Sequence, residues 1–267
     1  MKIGLIAGSG ELPKAFAKSA YRNNEDLTII AIKSSADKEL ERYGKTQWFS
    51  FTEAQKIIDF LKKENIQNLV MLGKIEHSSI LFHFHKLDHR AKTFLSKLKD
   101  KRAKSILQSI IQELESEGFK FIDPTPYLKE LLIPEGFLIN PIDDKEVLKD
   151  VEFGIKIAKE IADLDIGQTV VVKDGVVIAV EGVEGTDKCI LRGGELGGEN
   201  TVVCKTARSN QDMRYDVPVI GVKTLESMKK AKAKVLAVEA NKTFLLERKK
   251  FINRAKEYGI TVISVTV

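Results

Sequence analysis

The stretch from Gln168 to Gly221 carries two groups of side chains whose types and spacing suit phosphate chemistry. The run KTARSNQDMRYDVPVIG at 205–221 places Lys205, Arg208, Gln211, Asp212, Arg214 and Asp216 in one short loop. Cationic forks interleaved with carboxylates suit a phosphate that is gripped beside a metal or a base. A surface ion-pair network is the competing reading, and the density of charge in so short a loop favours function. The run AVEGVEGTD at 179–187 places Glu181, Glu184 and Asp187 near a strand end and a Gly-Thr turn. Converging carboxylates offer Mg²⁺ the hard oxygen ligands it takes. The spacing is not that of a dedicated cation loop, so alone it reads better as a solvated acidic loop.

A third group lies at the start. In GLIAGSGELP at 4–13, a buried strand runs into Gly8-Ser9-Gly10 and then a helix with Pro13 in its first turn. Strand, glycine turn and helix N-terminus form a corner whose free N–H groups and dipole favour an anion. A tight turn that binds nothing is an equal alternative. The dinucleotide fingerprint is broken, because Glu11-Leu12-Pro13 follows and no third glycine is in place. The second strand ends at Ile32-Lys33 without the acidic residue a ribose wants, which disfavours a dinucleotide enzyme. Gly73-Lys74 ends a later strand and shares a rim with Gly8–Gly10 if the sheet is parallel. Lys74 can then meet a phosphate, although a solvated Lys is the commoner outcome. All four histidines, His77, His83, His85 and His89, lie in one segment. His85 and His89 are four apart with Asp88 beside them, but no HExxH and no Cys partner accompany them. A partly buried amphipathic segment is the favoured reading.

The elements that must position these groups alternate. Strands are expected at 2–7, 27–32, 46–51, 68–72 and 119–122, and helices over 52–64, with Thr52 as N-cap, and 101–117. That alternation predicts a doubly wound parallel sheet, whose ligands sit at the carboxyl ends of its strands. Pro124, Pro126, Pro134, Gly136 and Pro141 mark a linker and divide the chain into 1–136 and 137–267. A helix over 143–163 precedes strands at 170–172 and 176–180, joined by a Lys173-Asp174-Gly175 turn. Thr224 is expected to cap a short helix, followed by a strand at 235–238, a helix over 241–258 and a closing strand at 261–267.

Composition narrows the class. Hydrophobic residues make up 43% and charged residues 30%, as in ordinary globular proteins. The net charge of +5, from 43 basic and 38 acidic residues, favours an anionic partner only weakly. No Lys/Arg block with interleaved aromatics points to nucleic acid. Cys189 and Cys204, the only cysteines, lack metal spacing and suit a reducing compartment. No apolar run reaches membrane-spanning length, and the expected location is cytoplasmic.

Taken together, the motifs resemble the LpxI family, the UDP-2,3-diacylglucosamine pyrophosphatases of lipid A biosynthesis. The resemblance rests on GLIAGSGELP at 4–13, VMLGKI at 70–75, ESEGF at 115–119, DIGQTVVVKDGVVIAVEGVEGTD at 165–187 and KTARSNQDMRYDVPVIG at 205–221. The last two are long and specific. The resemblance implies two α/β domains, an N-terminal Rossmann-like parallel sheet and a C-terminal mixed sheet, with the lipid between them. It implies Mg²⁺-dependent cleavage to UMP and 2,3-diacylglucosamine 1-phosphate (lipid X), with water attacking the sugar-side phosphorus. It places the catalytic aspartate at Asp216, with Asp212 the second choice, and metal contacts at Asp187, Asp212 and Asp216. Substrate contacts are expected at Gly8, Ser9, Gly10, Gly73, Lys74, Gln168, Thr186, Lys205, Gln211 and Arg214. Ala207-Arg208-Ser209-Asn210 departs from the Lys-Pro pair expected there, which bears on the outer phosphate contacts. A homodimer and transient contact with the inner-membrane surface are further implications. The alternative is a non-catalytic lipid or nucleotide-sugar binding protein on the same scaffold.

Overall fold

The computed structural model describes residues 1–74, 87–97, 103–215 and 217–267. The chain divides into two compact units, Met1–Lys129 with Met213–Asp216, and Glu130–Asp212 with Val217–Val267.

Unit 1 is a parallel five-stranded sheet in the order β3-β2-β1-β4-β5. Its strands are β1 (Lys2–Ala7), β2 (Asp26–Ile32), β3 (Lys45–Phe49), β4 (Asn68–Leu72) and β5 (Lys120–Phe121). Apolar residues fill β1 and β2 without alternation, because both faces of a parallel sheet are covered. Phe16, Ala17 and Ala20 form the buried side of the helix Glu11–Arg22. Ile58, Leu61, Ile111 and Leu114, from the helices Ala54–Lys63 and Ala103–Ser116, pack with Ile30, Ile32 and Leu69 of the sheet. Thr52 does not cap the helix Ala54–Lys63. Its hydroxyl bonds that of Ser50, and the Gln55 N–H donates instead to the Asp88 carboxylate at 2.8 Å.

Unit 2 is a mixed six-stranded sheet in the order β6-β13-β11-β9-β7-β8. The members are β6 (Leu138–Ile139), β7 (Thr169–Lys173), β8 (Val176–Val180), β9 (Val202–Lys205), β11 (Val235–Glu239) and β13 (Thr261–Val265). Strands β9, β11 and β13 run parallel, whereas β6, β7 and β8 are antiparallel to their neighbours. A small parallel pair, β10 (Val219–Ile220) with β12 (Phe244–Leu245), lies apart from it. Side chains alternate across the sheet with the period of two that a strand imposes. Val170, Val172, Val202, Cys204, Val235 and Ala237 pack against Val151, Ile155 and Ala158 of the helix Lys145–Asp163. Val171, Val203, Leu236 and Val238 face the opposite core, with Ile190, Leu225 and Phe251.

The β7–β8 turn forms as expected. Asp174 and Gly175 take φ of 51° and 73°, as a two-residue hairpin with matched twist requires. Asp150 holds it, accepting from the N–H groups of Asp174 at 2.8 Å and Gly175 at 2.7 Å. The central stretch is less strand-rich than its valines suggest, because Thr186–Gly197 is a helix. Its glycines disfavour helix locally but are needed for packing. A Cβ on Gly193 would lie 2.7 Å from the Val171 side chain, and one on Gly194 would lie 2.5 Å from the Ala231 carbonyl oxygen. The last helix is also shorter than its periodicity implies, spanning Arg248–Tyr258, because β12 occupies Phe244–Leu245. Thr224 sits in the first turn of the helix Val222–Lys230, and its hydroxyl accepts from the Gly221 N–H at 3.3 Å.

Candidate functional site

In unit 2 the carboxyl ends of the parallel strands carry the charged residues. Lys205 ends β9 and Glu239 ends β11, both nearly inaccessible, at 5% and 2% exposure. Open α/β sheets bind ligands at this edge. The Lys205 ammonium donates to Thr186 Oγ1 at 2.8 Å and Thr169 Oγ1 at 3.3 Å. The Thr186 hydroxyl donates in turn to Glu181 at 2.9 Å, so its lone pairs are left for Lys205. The other oxygen of Glu181 accepts from the Gln168 N–H at 3.3 Å, and the Gln168 carbonyl accepts from the Thr206 N–H. Gln168, Thr186 and Lys205, distant in sequence, thus belong to one polar cluster.

The segment after Lys205 is tied down at successive residues. Glu239 accepts from the Ala207 N–H at 2.8 Å while paired with Lys159 at 2.8 Å and Lys242 at 3.2 Å. Arg208 forks onto Asp165 at 2.6 and 3.0 Å. The N–H and hydroxyl of Ser209 both donate to Asp163 at 2.7 Å, and these bonds hold the Asp163 carboxyl below its usual range. Gln211 accepts from Arg208 at 3.4 Å and donates to the Asp212 carbonyl at 3.3 Å. Arg208 therefore serves the shape of the loop. Lys159, Asp163, Asp165 and Glu239 were beyond sequence reasoning, because they lie 32–80 residues from their partners.

The three carboxylates of 179–187 do not converge. Glu181 holds Thr186, Glu184 pairs with Arg192 at 2.5 Å, and Asp187 takes Lys223 at 2.9 Å and the Ser227 hydroxyl at 3.2 Å. The Arg192 guanidinium also keeps the Glu184 carboxyl below its ordinary pKa. Among the described residues no three His, Cys, Asp or Glu side chains are grouped to hold a metal. The donor chemistry suits Mg²⁺, but these residues do not form a ready-made centre for it. Asp216 lies outside the described residues, as do His77, His83 and His85. His89 opens the helix His89–Lys97, and Asp88 accepts from the Ala91 N–H at 2.8 Å. Asp88 thus serves two helix N-termini.

In unit 1, Gly8–Gly10 and Gly73-Lys74 meet on one rim, as a parallel sheet requires. Ser9 and Lys74 exchange backbone hydrogen bonds of 2.9 and 3.0 Å, and the Ser9 hydroxyl donates to the Lys74 carbonyl at 2.9 Å. The approach is too close for a side chain, since a Cβ on Gly8 would lie 2.7 Å from that oxygen. The Ser9 and Lys74 N–H groups each donate to the other residue's carbonyl. The anion-binding capacity of the corner therefore rests on Gly10 and the first helical turn, which has no side-chain cap. Arg214 pairs with Glu115 at 3.2 Å, Tyr215 packs on the unit 1 core, and Gln108 donates to the Tyr215 hydroxyl at 3.3 Å.

The LpxI N-terminal domain family matches residues 2–131 and the LpxI C-terminal domain family matches residues 134–263. The chain belongs to the LpxI family. A relative in Caulobacter vibrioides, named UDP-2,3-diacylglucosamine pyrophosphatase LpxI, is 30% identical, covering 99% of this chain and 97% of its own. The likeness to solved structures is slight. A UDP-glucose-4-epimerase from Stenotrophomonas maltophila aligns with 45% of this chain and 36% of its own, at 10% identity and a TM-score of 0.30. A glycinamide-RNase-transformylase T from Mycobacterium tuberculosis aligns with 68% and 44%, at 10% identity and 0.28. Scores this low carry no argument. In LpxI terms, the β7–β8 hairpin, the helix Thr186–Gly197 and the tied loop after Lys205 all lie within the C-terminal domain.

Proposed function

We propose that this chain hydrolyses the pyrophosphate of UDP-2,3-diacylglucosamine, giving UMP and 2,3-diacylglucosamine 1-phosphate in lipid A biosynthesis. The observation that carries the reading is the end-to-end match to the relative named as that pyrophosphatase. The polar cluster supports it, because phosphoryl transfer needs positioned charge more than covalent chemistry.

Water supplies the oxygen that bonds to the sugar-side phosphorus. The bond from that phosphorus to the bridging oxygen breaks, and UMP leaves with the bridging oxygen. Lys205, fixed by Thr169 and Thr186, sets a positive charge at the strand edge for a non-bridging oxygen. Arg214 is proposed as a second phosphate contact. Gln168, Thr186 and Gln211 are proposed as polar contacts, and Gly8, Ser9, Gly10, Gly73 and Lys74 as contacts of the head group. Asp216 is assigned the catalytic role, orienting the water. Mg²⁺, with Asp187, Asp212 and Asp216 as proposed contacts, would supply charge neutralisation when bound. A dimer and transient attachment to an inner-membrane surface belong to the same proposal. No helix among the described residues is long and apolar enough to cross a membrane.

The test is UMP release from UDP-2,3-diacylglucosamine, with and without Mg²⁺, by the wild type and Asp216→Ala. Metal-dependent release that the variant lacks supports the assignment. Release that survives in the variant removes Asp216 from its role. A second arm uses water enriched in the heavy oxygen isotope, and label in UMP rather than in the lipid phosphate overturns sugar-side attack.

A further inference from the structure

The mixed sheet of unit 2 ends in two unequal edges. One is β6, only two residues long, a length that itself blunts an edge. The other is β8, the five-residue run VVIAV at Val176–Val180. Among the described residues β8 has β7 on one side and no strand on the other, so backbone N–H and C=O groups face outward along it. The devices that guard such edges are few here. The strand carries no proline and no charge. The register shift at Val171/Val172 twists the hairpin without placing a charge on its edge. Arg192 Nη2 donates to the Val180 carbonyl at 2.9 Å, which leaves Val176–Ala179 open to a further strand.

Exposed apolar side chains gather at the same edge. Of the nine large apolar side chains exposed among the described residues, four lie at this end of the sheet: Ile166, Val176, Val183 and Leu196. Val176 opens β8, and Val183 follows its end. Gly167, next to Ile166, packs so closely on the exit of β8 that a Cβ there would lie 2.1 Å from the Glu181 carbonyl oxygen. A Cβ on Gly197, next to Leu196, would lie 3.2 Å from the Ile178 side chain. Apolar exposure gathered in one place marks an association surface.

A strand that fits this edge must match β8 on both faces. Val177 and Val180 pack toward the core of the helix Lys145–Asp163, and Ile178 and Ala179 toward the core that holds Ile190. A lone peptide added here would leave its own two faces without helices to cover them. A second copy brings another β8, apolar on both faces and already backed by helices of its own. We propose that β8 is the dimer interface, where two copies join their six-stranded sheets into one across a two-fold axis. Two-fold symmetry presents the same edge from both sides, so the two β8 strands run antiparallel, and VVIAV against itself opposes no like charges. The interface gives a surface to the dimer named above and rests on that part of the proposed function, not on turnover.

The experiment is sedimentation velocity on the full chain at micromolar concentration. The wild type should sediment at about 60 kDa, twice the 29.9 kDa of one copy. Val176→Lys places on the edge the kind of charge that guards edges elsewhere, and it should raise the dimer dissociation constant about a hundredfold. Val183→Lys combined with Leu196→Lys changes exposed positions alone and serves in case the first variant folds poorly. A monomeric wild type overturns the proposal, and so does a dimer that the folded variants keep with unchanged affinity. Hydrogen exchange gives the second readout. The amides of 176–179 should exchange more slowly in the wild-type dimer than in the variant monomer, and equal exchange overturns β8 as the contact. Neither readout uses substrate. A dimer through β8 that releases no UMP would sink the hydrolase and leave the interface standing.

Discussion

The Lys205 ammonium is joined to Thr186 by a 2.8 Å hydrogen bond, and the only hydroxyl hydrogen of Thr186 is directed to Glu181. One half-buried carboxylate thereby sets the orientation of a buried cation two elements away. Lys205→Met should lower turnover of UDP-2,3-diacylglucosamine about a hundredfold, the scale of losing one preorganised charge-stabilising donor. Thr186→Val should lower it about tenfold, by removing one hydrogen bond to a charged group. Steady-state UMP release checks both. Turnover within twofold of wild type for Lys205→Met would assign the lysine to the fold alone.

Glu239 is a stability anchor. It is 2% exposed and receives Lys159, Lys242 and the Ala207 N–H together. Glu239→Ala leaves the Lys159 ammonium, 14% exposed, without its carboxylate. The expected loss is about 3 kcal/mol in urea unfolding, because breaking a buried pair strands the other charge. A change below about 0.5 kcal/mol, the range of an ordinary surface substitution, would refute the anchor.

Asp163 gives the loop a pH limit. Its pKa is held below the ordinary 3.8, first by the Ser209 N–H and then by the Ser209 hydroxyl. The folded value is the depressed one, so the contribution is complete above the unfolded value and is lost as pH falls from there through the folded one. Asp163→Asn should flatten that acid limb of the stability curve while leaving its shape near neutral pH. Thermal unfolding between roughly pH 2 and 7 tests this. An acid limb identical to wild type counts against it.

The two cysteines should be chemically silent in the native state. Both are buried, and burial pushes the Cys189 thiol up to about 12 and that of Cys204 higher still. The thiolate is the reactive form, so a thiol reagent at about pH 8 should label neither in the folded chain and both after denaturation. Rapid labelling of the native protein would mean that the core faces around β7 and β9 open readily.

Much of the fold is written locally. Unbroken apolar runs at Lys2–Ala7 and Asp26–Ile32, alternating with helical periodicity, point to a parallel sheet, and Asp174-Gly175 announces its hairpin. The family too is legible in the chain, because 165–187 and 205–221 are long motifs. Local signals misled where packing overrides propensity. Gly193 and Gly194 disfavour a helix by intrinsic propensity, yet they allow the helix Thr186–Gly197 to lie against Val171 and Ala231.

Tertiary structure alone decided which charges do what. The sequence sets Lys205, Arg208 and Arg214 side by side as equals, whereas the fold commits Arg208 to Asp165, pairs Arg214 with Glu115 and holds Lys205 by two threonines. The partners lie far along the chain, and charge has no sequence period to reveal them. An apolar pocket in unit 1 is likewise invisible in sequence, because its walls come from six separate elements whose apolar side chains each look like ordinary core. Period and motif fix which residues are buried and which family they spell. Only the crossing of strands and helices decides which buried groups meet, because that depends on distances the chain order does not contain.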